Sequence, residues 1–228
     1  STTSFYPAKP YGCYGDGGAV FTNDADLALR LKSIRAYGGL QRDNYEVVGT
    51  NARLDTIQAA VLLVKLKYYP DVLAARQQVA RWYDEELAGS GCVLPQAVQG
   101  NTHTYAQYTV AVRNRAPIMQ ALKDAGIPHG VYYATPLHLQ KCFADLGYAR
   151  GAFPVSERLC DTVLSLPIHQ YVTRDQVKAV ADALKGAVGP GKRLRTVQPL
   201  PIVPADRFPG PRPRPPCRAT ARTGARWA

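Results

Sequence analysis

Apolar and polar positions alternate in two short runs near the start of the chain, Thr3 to Tyr6 and Ala19 to Thr22, separated by Gly, Pro and Asp. This pattern predicts short strands joined by tight turns. In "NDADLALRLKSIRAYGG" the period lengthens to that of a helix: Asn23 or Asp24 caps it, Leu27, Leu31 and Ile34 recur on one face, and Gly38-Gly39 stops it. A polar loop over 39–50 precedes a second helix from about Asn51 to Tyr68. A third begins with Pro70 in its first turn, carries Val72, Ala75, Val79, Trp82 and Leu87 on one face, and ends at Gly89.

Beyond residue 92 the pattern changes. "YAQYTVAV" (Tyr105 to Val112) alternates like a half-buried strand, "RAPIMQALKDAGI" is a helix with a glycine stop, and "HGVYYA" reads as another short strand. Helices follow at about Pro154–Leu164 and Thr173–Ala187. This β-α-β-α-α order predicts a small α/β domain over 92–189, placed after a helix-rich region over 1–91. No internal repeat is evident.

Charge alters the picture only at the end. Of 28 Lys and Arg, 9 fall in residues 190–228 with just 1 of the 17 Asp and Glu, leaving 19 and 16 for the rest. The body is thus nearly neutral and offers no nucleic-acid surface. In residues 190–228 nine of 39 are proline and eight arginine, too few apolar groups to offset ordering entropy by forming a core. A disordered tail is expected, or the product of an out-of-frame reading; a proline-rich ligand or an RNA-binding arm are the alternatives.

Five cysteines (Cys13, Cys92, Cys142, Cys160, Cys217) form no C-x-x-C pair and are odd in number, which points to a reducing cytoplasm and away from a disulfide framework or a zinc site. The longest apolar run, Ala59 to Val64, is far short of a membrane span. His103, His129 and His169 show no metal-ligand spacing, so no metal is assigned.

Candidate chemistry gathers at "SFYPAKPYGCYGDGGAVFTND". Lys9 lies between Pro7 and Pro10 and ahead of a glycine-rich turn, and Ser4 offers a hydroxyl five residues upstream. A lysine attacks carbonyls when its amine is held neutral beside the electrophile. On residues alone, most lysines beside such a turn are simply solvated. Asn51, at the predicted helix start, sits where free N–H groups and a positive dipole end attract anions, although the residues alone favour the plainer reading that Asn51 merely caps the helix and Arg53 is solvated. Tyr133 and His138, at the end of a predicted strand, either project into a cleft, or Tyr132 or Tyr133 packs in the core and His138 is an ordinary loop histidine.

"SFYPAK", "YGDGGAVFTND", "GTNARLDTIQAAVLLVKLK", "HTYAQYTVAV", "YYATPLHLQ" and "FPVSERLCDTVLSLPIH" resemble, in order and spacing, the C-terminal half of the DegT/DnrJ/EryC1/StrS sugar aminotransferases over about residues 1–187. The resemblance implies the C-terminal part of a PLP-dependent transferase of the aspartate aminotransferase fold (type I), with pyridoxal 5′-phosphate (PLP) as cofactor. It makes Lys9 the lysine that bonds PLP and moves the proton, Ser4 a phosphate-cup hydroxyl, and Asn51 a residue reaching the PLP phosphate of a homodimer partner. Arg53, Tyr133 and His138 become substrate contacts. The details look closest to the branch that aminates C3 of a UDP-linked 2-acetamido-3-keto-glucuronate with L-glutamate as donor, where Arg53 suits the uronate carboxylate. The expectation is therefore an N-terminally truncated nucleotide-sugar aminotransferase; an inactive truncated form, or a dimer-interaction module, is the alternative.

Overall fold

The computed structural model describes residues 1–188, so the proline- and arginine-rich segment 190–228 lies outside the described residues. The chain opens with an antiparallel pair, β1 (Thr2–Ser4) and β2 (Gly18–Val20), in which Thr3 faces Ala19. Helix α1 (Ala25–Arg35) follows, with Asp24 Oδ1 accepting the Leu27 amide at 2.9 Å, so the second of the two expected caps is the one used. Asp26 in its first turn and Lys32 and Arg35 in its last complement the helix dipole.

The loop from Ala36 to Asn51 folds back on the end of α1, because the Thr50 amide donates to Ile34 O (2.8 Å) and the Ala52 amide to Arg35 O (3.0 Å). Gly38, at φ 101°, and Gly49 lie against each other there, and a Cβ on either would overlap backbone. Helix α2 then runs Thr56–Leu66 with Asp55 as its N-cap, five residues later than the sequence pattern suggests. The bridge between Ala36 and Asn51 holds residue 51 in extended pairing instead.

Helix α3 (Tyr69–Glu86) starts at Pro70 as expected and stops before Gly89, whose φ of 71° takes the chain into a left-handed turn. Strand β3 (Tyr108–Ala111), helix α4 (Arg115–Asp124), helix α5 (Pro154–Thr162), strand β4 (Val163–Leu166) and helix α6 (Arg174–Val188) complete the order. Strands β3 and β4 pair antiparallel, Val110 opposite Leu164. "HGVYYA" is not a strand: it contributes one bridge, Gly130 to Ser165, and then leaves as turns. The strand that sequence periodicity hides is β4, whose "VLSL" is buried on both faces and so shows no alternation.

The core gathers α3, β3, α4, β4 and α6 around Tyr83, Tyr108, Leu122, Leu164 and Leu184, all essentially inaccessible to solvent. It thus begins in α3, upstream of residue 92. Tyr83 and Tyr108 stack at 4.7 Å, the Tyr83 hydroxyl donating to Pro167 O and the Tyr108 hydroxyl to Asp84 Oδ1. Burial first of all pushes both phenols well above their ordinary pKa, which keeps them neutral donors. Arg76 crosses from α3 to donate to Tyr105 O (2.9 Å) and Ile168 O (3.3 Å), tying the loop before β3 to the turn after β4. Among the described residues no helix is long and apolar enough to cross a membrane.

Candidate functional site

Lys9 stands on a closed loop. The Phe5 amide donates to Gly17 O and the Cys13 amide to Phe5 O, both at 2.8 Å, so residues 5 and 13 meet at the base. The buried Cys13 thiol adds contacts to Phe5 O (3.1 Å) and Gly15 O (3.0 Å). At the apex, a turn from Tyr6 to Lys9 is closed by the Lys9 amide donating to Tyr6 O at 2.8 Å. Gly12 permits this closure, because a Cβ there would come within 2.6 Å of Tyr6 O and 2.9 Å of Pro7 O. The Lys9 side chain is exposed and has no polar partner among the described residues.

Ser4, at the end of β1, is also exposed, and its Oγ accepts the Tyr6 amide at 3.2 Å, at the root of the same loop. Asn51 and Arg53 sit elsewhere. They line a broad cleft of about 1440 Å³ between β1, β2 and α1, with Thr3, Arg35 and Leu54, whereas neither Ser4 nor Lys9 reaches it. Asn51 does not begin a helix, so the dipole argument for an anion site there fails: the free amides of α2 start five residues on. Arg53 stacks its guanidinium 5.6 Å from the centre of the Tyr37 ring, and Tyr37 is held at φ 68°.

Tyr133 is 73% exposed and lies in a turn, not at a strand end. His138, by contrast, is drawn inward. Its Nε2 lies 3.0 Å from Glu157 Oε1, each side chain is only 8% exposed, and the Phe153 ring covers it at 4.8 Å. Glu157 reaches back from the first turn of α5 to accept the Gly151 amide (2.8 Å) and the amide of the N-cap Phe153 (3.3 Å). The Gly151 amide foremost, then Phe153 and His138, hold this carboxyl below the usual carboxylate range against the opposing effect of burial. One His138 nitrogen is therefore engaged within the chain.

The described residues thus form two groups: Ser4 with Lys9, and Asn51 with Arg53. Tyr133 and His138 follow on the 130–157 segment. Sequence reading missed Glu157, which "PVSE" does signal as a carboxylate within the first turns of a helix, and it missed Gln58 and Lys65, two polar residues seven apart with only apolar residues between them in α2.

The chain thus carries a lysine on a closed glycine loop beside short strands, followed by an α/β core. Residues 1–185 match the model of the DegT/DnrJ/EryC1/StrS aminotransferase family, and the chain belongs to that family. It is 43% identical over 182 residues to the UDP-2-acetamido-2-deoxy-3-oxo-D-glucuronate aminotransferase of Pseudomonas aeruginosa, covering 80% of this chain and 50% of that protein. A dTDP-3-amino-3,4,6-trideoxy-alpha-D-glucose transaminase of Streptomyces venezuelae is 38% identical over 183 residues, with 80% and 48% covered. Among solved structures, a DegT DnrJ EryC1 StrS aminotransferase from Brucella abortus superposes with a TM-score of 0.74 at 45% identity, covering 81% of this chain and 50% of that one. DesV of S. venezuelae gives 0.76 at 38%, with 81% and 50% covered. The chain spans about half the length of these relatives.

Proposed function

We propose that the chain carries part of the active site of a PLP-dependent aminotransferase that moves an amino group from L-glutamate to a keto-sugar nucleotide, a UDP-linked 3-keto sugar in particular. The observation that supports this most is Lys9: an exposed amine without a polar partner, on a loop whose apex is fixed by backbone bonds, in a chain of this family. A relative of the same fold, NtdA of Bacillus subtilis at 27% identity, is described with bound cofactor PMP. The residues fit such a cofactor, with Lys9 supplying the amine and the Ser4 hydroxyl, at the root of the same loop, a donor for phosphate. When bound, PLP would supply, in its conjugated ring, an electron sink for the pair left on the carbon being deprotonated.

In this reading Lys9 would hold the cofactor through its amine and, with that amine free, would take the proton from the reacting carbon as base and return it as acid. Asn51 and Arg53 line a cleft that Ser4 and Lys9 do not reach, which accords with Asn51 serving the cofactor phosphate of a second copy in a homodimer and Arg53 pairing a substrate carboxylate there. Tyr133 is free to meet substrate. His138 acts through its fixed ring position beside Glu157. The test is to mix the purified chain with PLP, reduce with borohydride and locate the pyridoxyl label by peptide mass spectrometry. Label concentrated on Lys9 and lost in Lys9→Ala is the expected outcome; label scattered over lysines would overturn the role of Lys9.

A second reading, an interaction module without activity of its own, draws on the apolar groups that residues 1–68 leave open, including Ile57 at 76% and Leu63 at 68% exposed on α2. Binding to a longer family member, with no label on Lys9, would favour it.

A further inference from the structure

Helix α2 carries a stripe that ends on the lysine loop. Gln58, Leu62 and Lys65 fall at i, i+4 and i+7, one face of the helix. Each meets the segment just after Lys9. Gln58 Oε1 accepts the Tyr14 amide at 2.8 Å, Leu62 O accepts the Tyr11 hydroxyl at 2.8 Å, and Lys65 Nζ donates to Gly12 O at 2.7 Å. The Lys65 ammonium also lies 4.9 Å from the centre of the Tyr14 ring. Gly15 closes the fit, since a Cβ there would stand 2.8 Å from Gln58 Nε2. Tyr11 in turn packs edge-on against Phe5 at the base of the loop, 5.6 Å between centroids.

We infer that Gln58 and Lys65 are positioning residues for Lys9, holding the loop so that its amine presents in one orientation to an aldehyde-bearing cofactor. This rests on the reading of Lys9 given above. The bonds explain a chemical choice as well: Lys65 spends its ammonium on a carbonyl and an aromatic face, whereas Lys9 meets no polar partner among the described residues. Lys65, bonded to the loop at Gly12, is thereby the lysine that holds, and Lys9 the one left to react. Gln58 and Lys65 bond to loop backbone, so their loss moves the loop without emptying the core, whose buried cluster starts at Val79.

The experiment pairs two readouts on the full chain: amide hydrogen exchange over residues 9–15, and the share of pyridoxyl label found on Lys9 after borohydride. Gln58→Ala combined with Lys65→Met, which keeps an apolar stem, should speed exchange at the Tyr14 amide by about tenfold, the loss of roughly one to two net hydrogen bonds. Amides of Tyr108–Ala111 should keep their rates. The Lys9 share of the label should fall while thermal unfolding of the core is unchanged, and Lys65→Arg, which restores a donor, should recover it. Unchanged exchange at Tyr14, or equal acceleration at Val110, would overturn the clasp. A wild-type chain whose label never favours Lys9 would instead remove the cofactor reading, with the exchange data still deciding whether α2 holds the loop.

Discussion

Lys9 is placed by a neighbour that has no side chain. The loop closes because the chain at Gly12 passes within contact of the Tyr6 and Pro7 carbonyls, a path that Cβ blocks, and the obstructing atoms are backbone rather than a movable side chain. Gly12→Ala should therefore open the loop: selective labelling of Lys9 should drop several-fold while the melting of the α3–α6 core stays within about 0.5 kcal/mol of wild type, as for changes away from a core. Retained labelling would show that the loop tolerates a wider path. The same logic explains what sequence alone conveyed. Glycine density flagged the loop and lysine chemistry flagged the amine, but the carbonyls that Gly12 must clear are nearby only once the turn has formed.

At the scale of elements, α5 and the segment before it are joined by a carboxylate. Glu157 gathers two amides and His138 Nε2 in a nearly enclosed place, and those contacts favour its ionised form, setting its folded pKa below the unfolded one. A depressed carboxyl stabilises the fold fully above its unfolded pKa, and that stability drains away as pH falls through the unfolded and then the folded value. The loss is thus expected below about pH 4.5, where a free glutamate titrates. Glu157→Gln should lower the melting temperature at pH 7, and the gap to wild type should shrink in thermal melts taken towards pH 3. A gap independent of pH would show that charge contributes nothing there. Helices α1, α3, α4 and α6 were legible from periodicity, caps and glycine stops, all local signals. The late start of α2 and the strand β4 were not, because pairing with Ala36 and burial on both faces are tertiary events that leave no period in the sequence.

Across the whole molecule the distribution of burial and the distribution of chemistry oppose each other. Every member of the buried cluster lies between Val79 and Leu184, while Ser4, Lys9, Asn51 and Arg53 all lie in residues 1–68, where Phe21, Leu29, Ile57, Leu63 and Val64 face solvent. A two-stranded ribbon such as β1–β2 is marginal by itself in water. The candidate site therefore stands where few buried contacts hold the chain, and local opening is expected there first. That order of opening can be measured as a gradient of amide exchange along the chain alone. The Phe21 amide, bonded to Ser1 O in an exposed ribbon, should exchange by local opening, whereas Val110 and Leu164 in the buried β3–β4 pair should wait for global unfolding. A difference of a hundredfold or more, about 2.7 kcal/mol, is expected between the two regions. Comparable protection throughout residues 1–188 would mean that residues 1–68 are stable unaided, and that the exposed apolar faces of α1 and α2 are not what limits the lysine loop.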